Sequence, residues 1–381
     1  MWHGKFCFFM IKSNFTGKFY LIYFLIPCQL LCFPPSWVNA QTTDIVLLNP
    51  QEAVNLRVLV KENAQVRAMY DSINELAILA LAHKSNAPTR LFYEGMLPTD
   101  PDRVATEESL LEMDMLVNLI YAFYGDPAEK YGTKAKQFVL EWTNRYIPTG
   151  NPINENKLTA IFWAYHIFND SFTATEQHQV EEWMKTIAYK ELAREKTPNN
   201  NWEAKRLKII AAIGSILGLE DLSTYAIEGF KKYIESAYYA DGTSNDLRER
   251  DALRYHVSGL IPTVAVFVNG LAFDSGYDLY RYTSPSGSSI ERSVDYVIPY
   301  ATGELQRAEW TNSKAAIDRK RAEAGLAEYQ PGILYDPSHA ILLLEWVGYF
   351  RKDVFALFGG QSPTYTASWV GFLNSPLIRS R

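Results

Sequence analysis

Apolar residues recur every three or four positions along most of the chain, the spacing that lines them up on one stripe of an α-helix. Over 64–82 the stripe runs through Val66, Met69, Tyr70, Ile73, Leu76 and Ala77. Over 107–124 it runs through Leu110, Leu111, Met115, Leu116, Leu119 and Ile120. The same reading predicts helices over 134–146, 157–168, 175–193, 202–217 and 222–239. A last helix is predicted over 337–358, with Pro337 at its start, where a missing N–H costs little. Thr173 and Glu176 have the Thr-x-x-Glu spacing of a capping box. Strand-like alternation is scarce, and the connections are short and polar. The exception is 241–332, which is long and less regular. The pattern predicts an all-α domain of stacked antiparallel helix pairs. It has no repeat of fixed period, so a regular solenoid is not expected.

The first 40 residues break this pattern. Lys5, Lys12 and Lys18 precede an apolar run over 19–33, and Val38-Asn39-Ala40 ends it with small residues at cleavage-site spacing. The run is short for a permanent span, which needs roughly 20 apolar residues. The expectation is a signal peptide over 1–40, a single domain over 41–381, no stable membrane span after cleavage, and a periplasmic or secreted protein. Cys7, Cys28 and Cys32 all fall in the leader. The mature chain therefore has no disulfide and no thiol for catalysis or metal binding, and must be stable through its core.

The whole chain has 37 Lys and Arg against 43 Asp and Glu. Losing three leader lysines widens that acidic excess. Such a chain has no general attraction for nucleic acid or anionic membranes. A polyanion would have to be held by a local basic site. Aromatic residues make up 14% of the chain; most serve packing, and some could stack on sugar rings. No P-loop or dinucleotide fingerprint appears. No metal-ligand spacing appears either, and no cofactor is expected. His83, His166, His178 and His339 are scattered and read as structural.

Three polar segments stand apart from the helical background. Thr149 to Glu155 precedes a helix, where Asn151 or Asn154 either caps it or meets substrate hydroxyls. Asn199-Asn200-Asn201 opens the next, followed by Trp202, Lys205, Arg206 and Lys208. Asn201, Lys205 and Lys208 share one face there, an amide beside cations that suits an anionic sugar. The third segment, Ala240 to His256, sets Arg248, Arg250 and Arg254 around the pair Tyr255-His256.

In order and spacing these motifs resemble the alginate lyase family. Arg250-Asp251-Ala252-Leu253-Arg254-Tyr255-His256 is similar to the family's Arg-Asp-Ala-Leu-x-Tyr-His variant. Glu309-Trp310-Thr311-Asn312-Ser313-Lys314, with Asp318-Arg319 and Arg321-Ala322, is similar to a later motif of that variant. The resemblance implies an (α/α) toroid or incomplete barrel of helix hairpins around a cleft. It also implies β-elimination on a uronic-acid polysaccharide, with no redox cofactor. A monomer is expected.

That reaction needs the uronate carboxylate neutralised, a base for the C5 proton and an acid for the departing O4. Donors aimed at the developing enolate stabilise it most in the transition state. Asn200, Asn201 and Arg250 are the candidates for neutralising the carboxylate. Tyr255 is the candidate acid and base, the role the resemblance gives it. Many family members carry a histidine directly after the Asn-Asn pair, where this chain has Asn201 and then Trp202. The base is then His256, Tyr255 itself or Lys205. Candidates for substrate contact are Trp202, Lys205, Arg206, Arg248, Arg254, Asn154, Asn312 and Lys314. Two other readings use the same residues. A glycoside hydrolase on a similar toroid would need two acids from among Asp241, Asp246 and Asp251. A non-catalytic polysaccharide-binding envelope protein would use the groove without Tyr255.

Overall fold

A computed structural model describes residues 45–271, 278–359 and 368–379. The expected signal peptide over 1–40 lies outside the described residues. The predicted stripe over 64–82 is the helix α2 (Ala64–Ala82), preceded by α1 (Pro50–Glu62). α3 (Pro101–Gly125), α4 (Glu129–Arg145), the single turn α5 (Pro152–Glu155), α6 (Thr159–Ile167) and α7 (Ala174–Leu192) follow. Then come α8 (Asn201–Leu217), α9 (Glu220–Ala237), the short α10 (Asn245–Arg250) and α11 (Leu253–Val266). α12 (Ile290–Ala301), α13 (Ala316–Glu323), α14 (Ile341–Val347), α15 (Lys352–Gly359) and α16 (Trp369–Leu373) complete the described chain. Among the described residues β-structure is limited to two isolated bridges, Tyr238 with Ser244 and Ala308 with Leu334.

The helix starts follow from local chemistry. Thr173 and Glu176 form the expected capping box on α7, and Asn49 with Glu52 forms another on α1. Asp100 caps α3 ahead of Pro101, so that helix starts six residues before the apolar stripe suggests. α1 escapes the sequence reading because only Ala53, Leu56 and Val60 of its apolar residues are buried, while Val54 and Val58 face solvent. The single helix predicted over 337–358 is broken instead. Pro337–Ala340 is a 3-10 turn, and α14 and α15 are separated around Gly348 to Arg351. There Arg351 pairs with Asp353 and with Asp295 of α12, which draws the chain out of one continuous helix.

The helices form two layers. α3, α6, α8, α11 and α14 touch in succession as an inner row, and α4, α7 and α9 back it from outside. α8 and α9 are joined through Gly218, whose φ of 63° closes α8 with a left-handed residue. Gly229 lets the pair approach closely, since a Cβ there would sit 2.5 Å from Leu207 Cδ2. The row returns on itself: Trp369 of α16 stacks on Tyr121 of α3 at 5.9 Å, and Arg379 pairs with Glu52 of α1 at 2.8 Å, both side chains nearly fully buried. This is the toroid of helix hairpins that the resemblance implies. One continuous core with Trp142, Trp163 and Trp346 fully buried holds it together. A second small cluster of Ala252, Trp310 and Tyr329 lies apart from it, and it is there that the polar motifs meet.

Candidate active site

Asn200 is the N-cap of α8, and its Oδ1 accepts from Trp202 N at 3.0 Å. Asn201, the first residue inside the helix, is buried. Its backbone N donates to Asp246 Oδ2 at 2.7 Å and its Nδ2 to Asp246 Oδ1 at 2.9 Å. Its Oδ1 accepts from Lys205 Nζ at 2.9 Å. Asp246 is itself buried, and burial pushes its carboxyl upward against the pull of Asn201, Lys205 and Arg250. Lys205, half-buried, is drawn down to about 7. Burial is the main cause, opposed by Asp246 and reinforced by Lys157, Lys208 and Arg250.

Asp246 and Arg250 sit four residues apart on α10, so they share one side of it. Asp246 turns to α8. Arg250 lies flat over the Tyr255 ring, its guanidinium carbon 3.3 Å from the ring centroid, while its fork grips both oxygens of the buried Asp318. Ser313 donates a further bond to Asp318, at 2.7 Å. On the other side, Arg321 Nη1 donates to the Tyr255 hydroxyl oxygen at 2.6 Å. The half-buried phenol is therefore stacked on one guanidinium and hydrogen-bonded by another. Trp310 meets the ring edge-on, with centroids 5.6 Å apart.

Arg321, Asp318 and Trp310 all come from the segment 302–336. Asp251, at φ 49°, accepts from Arg307 at 2.5 Å and from Asn312 N at 3.0 Å. Trp310, at φ 63°, donates its backbone N–H to the Asp251 carbonyl at 2.8 Å. Left-handed backbone is uncommon for residues other than glycine, and here two such residues are bonded to each other beside the phenol. Glu309 is buried and accepts from Arg254 N at 3.0 Å, so it caps α11, whose own N-cap Ala252 has no side chain to do so.

Asn201 and Lys205 are linked to Asp246 of α10 and Tyr255 to Arg250 of the same helix, with Asn200 at the cap of α8, while the other sequence candidates lie elsewhere. His256 is 1% exposed, with Nδ1 on Ser244 Oγ at 2.8 Å and Nε2 on Ser293 O at 3.1 Å. Burial lowers it to about 4, so it is neutral, and no ring nitrogen is left for a substrate proton. Adjacent helix residues point about 100° apart, so with Tyr255 against Arg250 and Arg321, His256 turns to the core. Asn154 is buried under the loop at 91–94, bonded to Leu91 O, Tyr93 N and Glu94 N. Arg206 is buried against Glu203 and Tyr225. Arg248 pairs with Asp241 on the surface and stacks on Tyr239. Arg254 reaches Glu328, Trp202 stands under Arg194, Asn312 binds Asp251, and Lys314 is exposed. Asp241, Asp246 and Asp251 each bind separate partners, Arg248, Asn201 and Arg307.

Sequence reasoning gave no role to Lys157, Glu309, Asp318 or Arg321. The last three lie in a motif already visible in the sequence. Their contacts with α10 and α11 span 55 to 68 residues, so no local pattern marks them. Among the described residues no group of His, Cys, Asp or Glu gathers as a metal site would need, and no helix is long and apolar enough to cross a membrane.

A family model described as alginate lyase matches residues 63–307. An alginate lyase from Bacteroides ovatus is similar in structure, with a TM-score of 0.63 and 15% identity, over 88% of this chain and 100% of that one. A variant of alginate lyase A1-III, an enzyme of Sphingomonas species A1, aligns with a TM-score of 0.50 and 14% identity, over 75% of this chain and 90% of that one. No curated protein matches the chain.

Proposed function

Because the chain belongs to the alginate lyase family, whose members are polysaccharide lyases, we propose that it cleaves a uronic-acid polysaccharide, alginate or a related polyuronate, by β-elimination at Tyr255. The observation that carries this reading is the phenol held between Arg250 and Arg321. Two cations touching one phenol stabilise negative charge on its oxygen when its proton leaves for O4. The Arg321 bond also uses an oxygen lone pair, so the O–H can still act as a donor, with the Tyr329 hydroxyl as its neighbour. Asn200 stands at the same helix start as Asn201, and its Nδ2 donates to no described protein group. We assign this amide to the uronate carboxylate, with Arg250 and Arg321 supplying positive field. Arg250 acts on the phenol rather than as a free clamp, since its fork is held by Asp318.

The test is direct. Eliminative cleavage leaves a C4=C5 double bond conjugated to the carboxylate, which absorbs in the ultraviolet. Purified protein should raise that absorbance on at least one of mannuronate-rich, guluronate-rich or glucuronan polymers. Tyr255→Phe should lower kcat at least a hundredfold with an unchanged thermal melt. Unchanged turnover by the phenylalanine variant would remove Tyr255 from the chemistry. Polymer binding without any turnover by the unmodified protein would favour the non-catalytic reading instead. We further propose export of the chain by residues 1–40 to the periplasm or beyond, which the mass of the mature N-terminus checks.

A further inference from the structure

Eliminating a uronate needs a base as well as an acid. Lys205 sits one turn beyond Asn201 on α8 and reaches back, so that its Nζ bonds to the Asn201 side chain at 2.9 Å. Lys208 lies on its own helix, Lys157 comes from the turn ahead of α6, and Asp246 and Arg250 come from α10. Beyond Lys157, Asp114 of α3 is raised to about 6, mainly by burial. α11, packed directly on α8, contributes Tyr255. Three cations against one buried carboxylate oppose a further positive charge on Lys205. That carboxylate is already satisfied by two bonds from Asn201. Arg250 opposes the charge of Lys205 and also stacks on Tyr255, so one guanidinium acts on both amine and phenol, which come from neighbouring helices.

From this geometry we infer that Lys205 is the catalytic base that takes the C5 proton, with Tyr255 as the acid. The inference rests on the lyase reading above and deepens it. The neutral amine removes the C5 proton and becomes ammonium. The electron pair forms the C4=C5 double bond as C4–O4 breaks, and Tyr255 gives its proton to O4. The ammonium then loses its proton to water and the phenolate takes one back, so nothing is oxidised or reduced and the site resets. Neutrality of the amine near pH 7 matches what a general base requires. His256 cannot serve, since both ring nitrogens are bonded in the core.

The experiment measures kcat and KM against pH on the best-cleaved polyuronate for unmodified protein, Lys205→Arg and Lys205→Cys. In the unmodified protein kcat/KM should climb with pH to a plateau above about pH 7. Lys205→Arg keeps the positive charge but cannot give it up. It should lower kcat at least a hundredfold while KM changes less than threefold. Lys205→Cys should be inactive until alkylated to aminoethylcysteine, whose amine is less basic than lysine's. Rescued activity should then climb at lower pH than in the unmodified protein. That rescue keeps the test sound even if the larger arginine disturbs folding. The three native cysteines all precede residue 41, so alkylated unmodified protein is the control. Lys205→Arg turning over at more than a third of the normal rate, or an alkylated Lys205→Cys that stays inactive, overturns the inference and leaves the lyase reading standing. An unmodified protein with no turnover on any polyuronate overturns both.

Discussion

The α8–α9 hairpin, which carries Asn201 and Lys205, and the segment 302–336, which meets Tyr255, are held by opposite means. The hairpin is apolar and close-packed. Leu207, Ile210, Ile213, Phe230 and Ile234 are fully buried in the main core, and Gly229 draws the two helices together. The segment contributes Trp310 and Tyr329 to a small separate cluster and Tyr335 to the main core. It is held to α10 and α11 chiefly by charge: Arg250 to Asp318, Arg307 to Asp251, Glu309 to the start of α11, and Arg321 to Tyr255. The difference separates folding from function. Apolar packing fixes where the helices stand, and ionic docking then positions the groups that act on the phenol.

The sharpest break of this contrast is in the core. Trp142 is fully buried on α4, and its Nε1 donates to the buried Glu112 carboxylate at 2.8 Å. Trp142→Ala opens a large cavity and removes one of that carboxylate's donors, a loss of about 5 kcal/mol. A denaturant melt should show it as a lower midpoint, while kcat of the molecules that remain folded stays within twofold. A large fall in kcat at full folding would mean that the two regions are not separable.

The second break is in the ionic segment. Asp318 is 2% exposed and binds both Arg250 and Ser313. Asp318→Ala leaves Arg250 half-buried without its partner, at a cost of about 3 kcal/mol. Because the segment adds little to the main core, that cost should appear as local opening rather than global unfolding. Proteolysis should become faster within 302–336, kcat should fall at least tenfold, and the melt midpoint should move less than half as far as for Trp142→Ala. An unchanged kcat would show that Arg250 and Arg321 stay on Tyr255 without the docked segment.

The same contrast decides what could be read from sequence. α2 has the bounds its apolar stripe predicts, because burial on one face is what makes that helix. α7 starts where Thr173 and Glu176 say it should. In the polar region, Asn200, Asn201, Lys205, Arg250 and Tyr255 were visible as residue types in a familiar order. Their partners Asp318 and Arg321 make no local pattern and become legible only when chain segments far apart in sequence are folded together. His256 shows the converse. Its neighbour is the proposed reacting group, yet one step along the helix turns it into the core, and sequence adjacency to Tyr255 says nothing about that.

The smallest test asks whether the apolar region is as purely apolar as the contrast implies. Glu191, at the end of α7, is 0% exposed and faces the equally buried Glu155, with Arg194 and Arg206 nearby. Burial first, and the Glu155 charge second, raise Glu191 to about 9 from 4.5 in a free chain. A folded-state value above the unfolded one means that folding favours the protonated form. The contribution is full below about pH 4.5 and falls steadily as pH rises, until it is exhausted above about pH 9. Glu191→Gln cannot ionise, so it should match the unmodified protein at pH 4 and exceed it by about 3 kcal/mol at pH 7. The gap should keep widening to pH 9, with kcat on polyuronate unchanged, because the pair lies in the packed half and not beside Tyr255. Denaturant midpoints measured from pH 4 to pH 9 read it directly. A gap that is constant with pH would mean that Glu191 is already ionised in the fold, compensated by Arg194 and Arg206, and that the packed half tolerates a buried charge as readily as the docked segment does.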